Sequence, residues 1–204
     1  MARLLLALVL GLVGAGIVHI SILFLLPHYT NRDAWAVLSA ASGYYDTVPV
    51  GTGATTALSR SIDPLFGASA CRFNLEDGPL HVRAPGHVPF WSVSVYDRNG
   101  QNIYSFNDRT AADGVVDFVV LTAAQTIEVR KTLPEEFTDS IFVEAELDEG
   151  IVMIRAFIPD RGWSEAVGDF LKNVSCMPVP GAAGATGAVR DTSTLTPALP
   201  SNRT

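Results

Sequence analysis

The chain has 204 residues, 48% of them hydrophobic and 17% charged, with a formal net charge of −7. That length suits one domain of about 150 residues plus a targeting segment and a tail, and such a domain buries a core without a dense disulfide framework. The acidic balance and the lack of any Lys/Arg cluster argue against nucleic acid, where phosphate neutralisation dominates affinity.

Mean hydropathy is +0.27, and the excess sits at the N-terminus. Residues 4–26 form an unbroken apolar run whose strongly polar member is His19, closed by Pro27. As a helix it spans about 34 Å, enough to cross a hydrocarbon core of about 30 Å. The rival reading is a cleaved signal peptide, but its apolar region typically covers about 7–15 residues, so we expect a retained anchor over residues 1–27. Arg3 before the run, and Arg32 offset by Asp33 after it, place the N-terminus in the cytoplasm of an inner-membrane protein and the rest in the periplasm. Ala7, Gly11 and Ala15 recur every four residues and His19 continues the row. Small residues at that spacing let two helices approach closely in lipid, so this row is a candidate packing face. The plain alternative is an ordinary membrane helix rich in Gly and Ala.

Residues 28–66 read as a helix and a connecting strap. Thr30 or Asn31 can cap a short helix that Gly43 ends. Residues 47–63 are rich in Gly, Thr and Ser and read as a loop.

From Ala70 the apolar period becomes two. Residues 70–74 and 80–83 predict one hairpin about Glu76-Asp77-Gly78-Pro79. Residues 90–96 put Trp91, Val93 and Val95 on one face, turn at Asp97-Arg98-Asn99-Gly100, and return over residues 101–106. Residues 115–121 predict a central strand covered on both sides. Thr122 and Gln125 form a capping box that opens a helix to about Lys131, and Leu133-Pro134 ends it. Residues 140–147 and 151–157 predict a second hairpin about Asp148-Glu149-Gly150, with Gly150 left-handed. Ile141, Val143, Ala145 and Leu147 face in, while Glu144 and Glu146 face water. Residues 163–174 have helical spacing, and residues 178–204 read as a disordered Pro/Gly/Ala/Thr-rich tail. The expected architecture of residues 67–177 is mainly β: an antiparallel β-sandwich with α+β decorations behind one N-terminal transmembrane helix.

The run from Pro89 to Arg109 (PFWSVSVYDRNGQNIYSFNDR), the GAGIVHI end of the apolar segment, residues 63–66 and 70–73, and residues 133–137 carry a resemblance. They resemble the short, membrane-anchored alphaproteobacterial members of domain-of-unknown-function family 1254, from Leu4 to Cys176. The resemblance implies a β-rich fold and an integral-membrane location, and no activity. Longer relatives carry a sister domain, family 1214, on the same chain. The resemblance therefore implies a separate partner protein bearing that sister domain, with a homo-oligomer as a further option.

Cys71 and Cys176 are the two cysteines. Outside the cytoplasm such a pair usually oxidises, here fastening the C-terminal helix to the sheet; the alternative is two buried thiols too far apart to bond. His81 and His87 flank Arg83 near Asp77, yet a cation beside the histidines spoils a metal site, so exposed histidines are expected. Asp97-x-Asn99-x-Gln101 resembles a calcium loop but lacks Gly at the sixth and Glu at the twelfth place. We expect no metal and no cofactor; G-x-S-x-G, P-loop and dinucleotide patterns are missing from the sequence. The acids between Glu128 and Glu149 read as a solvated face.

The remaining candidate is a ligand pocket of Trp91, Tyr96, Tyr104, Asn107, Asp108 and Arg109, with aromatic walls and a guanidinium for an anion. The alternative is a corner in which Asp108 or Asp97 pairs with Arg109. Two functions follow. One is a structural or interaction module of the cell envelope, and this reading leans away from an enzyme. The other is a small-molecule binder or hydrolase working through that pocket.

Overall fold

The apolar alternation does produce strands, and they sort into two sheets packed face to face. The structure is a computed structural model that describes residues 2–30, 33–131 and 137–179. The five-stranded sheet runs β1 (Val48–Pro49), β2 (Phe66–Asn74), β8 (Glu149–Phe157), β4 (Trp91–Asp97), β5 (Asn102–Asn107). The four-stranded sheet runs β7 (Ile141–Glu144), β6 (Val116–Leu121), β3 (Leu80–Ala84), β9 (Ser175–Pro178). All pairings are antiparallel except β6 with β7, which is parallel. The fold is mainly β with helical decorations, as expected.

Between the sheets lie the inward residues of each strand, including Phe73, Val82, Val93, Val95, Phe118 and Ile154. Trp91 is 1% exposed and packs edge-on against Phe106, which in turn meets Phe118. Its indole Nε1 donates to the Gly114 carbonyl at 2.7 Å, so the one polar atom of this large ring is satisfied. Val143 and Ala145 face the core as expected, and Glu144 and Glu146 are exposed.

Two of the three expected hairpins are replaced by crossovers between sheets. β2 and β3 do not pair. β8 occupies β2 over its full length, from Phe66 opposite Phe157 to Asn74 opposite Glu149. A 3-10 turn at Leu75–Asp77, with the Asn74 side chain accepting from the Glu76 N–H, carries the chain to the other sheet and buries Leu75. β7 and β8 likewise lie in different sheets. Gly150 is not left-handed: it sits in the β8 ladder, where a Cβ would lie 2.5 Å from the Phe73 ring and 2.6 Å from the Tyr96 carbonyl oxygen. Close approach, not a turn, requires glycine there. Only β4 and β5 form an expected hairpin. Gly100 has φ +82°, and the Asp97 carboxylate accepts from the N–H groups of Asn99 and Gln101.

Four α-helices complete the described residues. Helix α1 (Ala2–Thr30) continues through Pro27, which costs a ladder bond without stopping the helix. Its segment Ala2–Leu25 is long and apolar enough to cross a membrane, and none of it is buried by the rest of the chain. Helix α2 (Asp33–Ala41) ends before Gly43, whose N–H donates to Asp46. Of the two expected caps, Thr30 belongs to α1, and Asn31 lies outside the described residues. The strap holds β1 and a 3-10 helix, Gly53–Ser61, rather than loop alone. Helix α3 (Ala123–Lys131) has its capping box: Thr122 Oγ1 accepts from the Gln125 N–H at 3.3 Å, and Gln125 Oε1 accepts from the Thr122 N–H at 2.9 Å. Leu133 and Pro134 lie outside the described residues. Helix α4 (Ser164–Lys172) buries Val167, Phe170 and Leu171.

The disulfide forms between Cys71 on β2 and Cys176 on β9, with the Cα atoms 6.7 Å apart. It joins the two sheets, where the C-terminal helix had been expected at one end. The reason is β9, a strand too short to read from SCMP alone. The ordered layer also reaches past residue 177: Val179 N–H donates to the Pro79 carbonyl. Residues 180–204, read as a tail, lie outside the described residues.

Candidate functional site

Strand alternation gives the five-stranded sheet an outer face, and that face has two unlike halves. On β2 and β8 the outward residues include Ala68, Ala70, Ile151 and Met153. Apolar residues there must be covered, and Leu38 of α2 with Val50 and Leu58 of the strap cover them. Arg72 extends this patch. Its guanidinium lies 4.7 Å from the Tyr44 ring centre and 5.1 Å from that of Trp35, and it donates to the Ser42 carbonyl at 2.6 Å. Glu149 accepts from the Tyr44 hydroxyl and pairs with Arg98 at 2.7 Å. The Glu149 hydrogen bond, with some burial, raises the Tyr44 phenol above its ordinary value. Burial, then the Asp77 hydrogen bond, raises Tyr45 further.

On β4 and β5 the outward residues are polar: Ser105 is exposed, Ser92, Tyr96 and Asn107 are half-buried, and Ser94 is buried. Register aligns Arg155, Ser92 and Asn107 in one row, and Met153, Ser94 and Ser105 in the next. All of these except Met153, together with Tyr96 and Asn102, line a hollow of about 400 Å³. A second hollow of about 280 Å³ adjoins it, lined by Asp63, Phe66 and Phe90, and the two share Ser92 and Arg155. Ser105 Oγ donates to Ser94 Oγ at 3.0 Å, and Asn102 Nδ2 donates to Ser105 Oγ at 2.8 Å. Arg155 donates to the Tyr96 hydroxyl at 3.1 Å. Burial pushes the Tyr96 phenol up, but hydrogen bonds from Ser94, Arg155 and Asn102 and the Arg155 charge outweigh it and leave the group below its ordinary value.

The residues named from sequence divide on this geometry. Tyr96 and Asn107 line the larger hollow. Trp91 points the other way, into the core. Tyr104, Asp108 and Arg109 line neither hollow. The expected corner ion pair does not form either: among the described residues Arg109 pairs with no carboxylate, and only its backbone N–H is engaged, by Asn107 Oδ1. Arg155, the cation that both hollows share, was not anticipated. A period-two count through IVMIRAF would have found it, since Arg155 falls on the outward parity with Ile151 and Met153.

The histidines separate as well. His87 is exposed, but His81 is half-buried rather than exposed, stacked edge-on against Phe137 with Nε2 3.0 Å from Asp117. Asp117 also pairs with Arg83 at 3.0 Å and accepts from the Ser140 hydroxyl. Ser140 therefore bonds the carboxylate and not the imidazole, which is not the nucleophile–base pairing of a hydrolase. Among the described residues no group of three His, Cys, Asp or Glu side chains is placed to hold a metal. Asp97 serves its turn, as the incomplete calcium pattern suggested.

Comparison with known proteins bears on the fold. The family described as protein of unknown function (DUF1254) matches residues 66–178, more than half of the chain. The chain belongs to this family. The matched residues run from β2 to the end of β9, so the family domain comprises both sheets except β1. No curated protein matches the sequence. The solved structure of the VPA0106 protein from Vibrio parahaemolyticus is similar, with a TM-score of 0.53 at 10% identity, over 86% of this chain and 41% of that one. An uncharacterized protein from Burkholderia cenocepacia gives a TM-score of 0.42 at 16% identity, over 64% of this chain and 34% of that one. The first likeness is one of fold alone. The chain spans less than half the length of either solved chain.

Proposed function

We propose that this DUF1254 protein is a single-pass protein of the inner membrane, with its N-terminus in the cytoplasm and its β domain in the periplasm. It serves as a structural or interaction module of the cell envelope. The carrying observation is α1: a 24-residue apolar segment, mean hydropathy 2.5, of which the domain buries nothing. An apolar helix left uncovered by its own chain calls for lipid or another helix. The disulfide supports the oxidising side of the membrane. Candidate partners are a second copy, through Ala7, Gly11, Ala15 and His19, and a separate protein carrying the sister family 1214 domain.

Fusions test the topology. A C-terminal alkaline phosphatase fusion is expected to be active and a C-terminal green fluorescent protein fusion dark; the reverse pattern overturns the orientation. Partner contact is tested by mild detergent extraction and by a membrane two-hybrid assay. Gly11→Leu is expected to weaken association by pushing the backbones apart, while Val9→Leu leaves it unchanged. Equal association of both variants leaves α1 a plain anchor.

A further inference from the structure

We propose that the two joined hollows on the outer face of β4, β5 and β8 bind a small hydroxylated carboxylate, an acidic sugar of the uronate type, with its carboxylate on Arg155. Arg155 is half-buried at the junction of both hollows, and among the described residues it has no carboxylate partner. Among the described residues its one side-chain hydrogen bond goes to Tyr96, which leaves the rest of a planar five-donor fork for a ligand. Such a fork matches a carboxylate in a bidentate fashion. Among the described residues Arg155 is the one cation that lines the hollows, and a lone guanidinium suits a monoanion better than a phosphate dianion.

The remaining lining specifies the rest of the ligand. Ser92, Ser94, Ser105, Asn102 and Asn107 are neutral groups that both donate and accept, the pattern that suits hydroxyls. Asp63, whose Oδ1 accepts from the Leu65 N–H, adds an acceptor for a ligand hydroxyl. Phe66, 6.3 Å from Phe90 and 5.4 Å from Phe157 between ring centres, offers the apolar surface on which a sugar's C–H face rests. The larger hollow, about 400 Å³, falls within the usual range of about 300–1,000 Å³ for small-ligand sites.

The test uses the full chain in detergent micelles with sodium glucuronate as the probe, read by ligand-observed NMR, with glucose, benzoate and inorganic phosphate as competitors. Glucuronate is expected to bind and each competitor to be about tenfold weaker or more, for want of the carboxylate, the hydroxyls or the monoanionic shape. Arg155→Gln is expected to lower affinity about tenfold to a hundredfold, the worth of a charge-assisted hydrogen bond, with Arg155→Lys in between. Ser92→Leu fills the shared junction and is expected to abolish binding; circular dichroism checks that each variant folds. Arg109→Gln, outside both hollows, is expected to bind as wild type does. Failure of glucuronate to bind up to about 10 mM overturns the proposal. So does unchanged affinity in folded Arg155→Gln and Ser92→Leu, or a competitor that binds as tightly as glucuronate.

Discussion

The covered and open halves of one sheet face differ more than the two sheets do. On β2 and β8 the outward positions near α2 are Ala68, Ala70, Ile151 and Met153, and the chain folds its own helix and strap over them. Two strands along, the outward positions are Ser92, Ser94, Ser105 and Asn107, and they line a polar hollow in which Ser94 is buried and Ser105 exposed. The β2–β8 ladder is regular and the β4–β5 ladder shifts register at Val95–Tyr96, yet both are antiparallel pairs of one sheet, and it is their outward side chains that differ most. Tyr96 touches both halves, lining the hollow and packing against the covered cluster; it holds its proton less tightly than usual, whereas Tyr44 and Tyr45 hold theirs more tightly.

The largest expected effect comes from emptying the covered half. Leu38 is 1% exposed, and Leu38→Ala should cost about 2–5 kcal/mol in urea unfolding, because the cavity forms between α2 and the sheet. A loss below about 1 kcal/mol would show that α2 merely rests there. Gly150→Ala acts on the inner layer common to both halves. The new methyl would meet Phe73 and the Tyr96 backbone, and overpacking of this kind costs about 1–3 kcal/mol, read by the same unfolding experiment.

The pH dependence comes next. The folded Tyr45 phenol sits above its ordinary 10.0, so its contribution to stability is complete below pH 10 and is lost as pH rises past that value, where the unfolded chain releases a proton the fold retains. The urea midpoint should fall as pH rises above about 10, and Tyr45→Phe should flatten that fall. Tyr96 has the opposite sign. An ultraviolet tyrosinate titration of the folded protein should show a component below the ordinary value that Tyr96→Phe removes. The smallest effect belongs to the open half. Ser105→Ala should change stability by no more than about 0.5–1 kcal/mol, since Ser105 is itself exposed and its hydroxyl bonds Asn102 at the surface and Ser94 beneath it. A larger loss would mean that the polar half is part of the core's support.

Legibility followed locality. The β4–β5 hairpin was readable because Asp97-Arg98-Asn99-Gly100 contains its whole instruction, and the Thr122/Gln125 box was readable for the same reason. The other hairpins were misread because a turn sequence between two strands says where the chain bends, not which sheet receives it. Leu75, buried in the crossover, is the one local hint, and its meaning depends on the opposite sheet and on Gln125, which donates to its carbonyl. The site suffered in the same way. Aromatics near Arg109 are close in sequence, but Arg155 reaches Ser92 and Asn107 through register alone. Trp91 was correctly placed on a shared face with Val93 and Val95, and that parity already directed it to the core rather than to a pocket.

The bond between Cys71 and Cys176 also determines how the molecule carries tension. A pull between the membrane segment and the residues beyond β9 enters through α2 and β2, crosses the two sulfurs, and leaves by β9. The 105 residues of separation between the cysteines, and nearly all the ladder hydrogen bonds among them, are outside that route. Strands that would otherwise be peeled apart one after another stay slack. Anything grasping the C-terminal end therefore loads a covalent strut, while the open polar face on β4 and β5 keeps its shape.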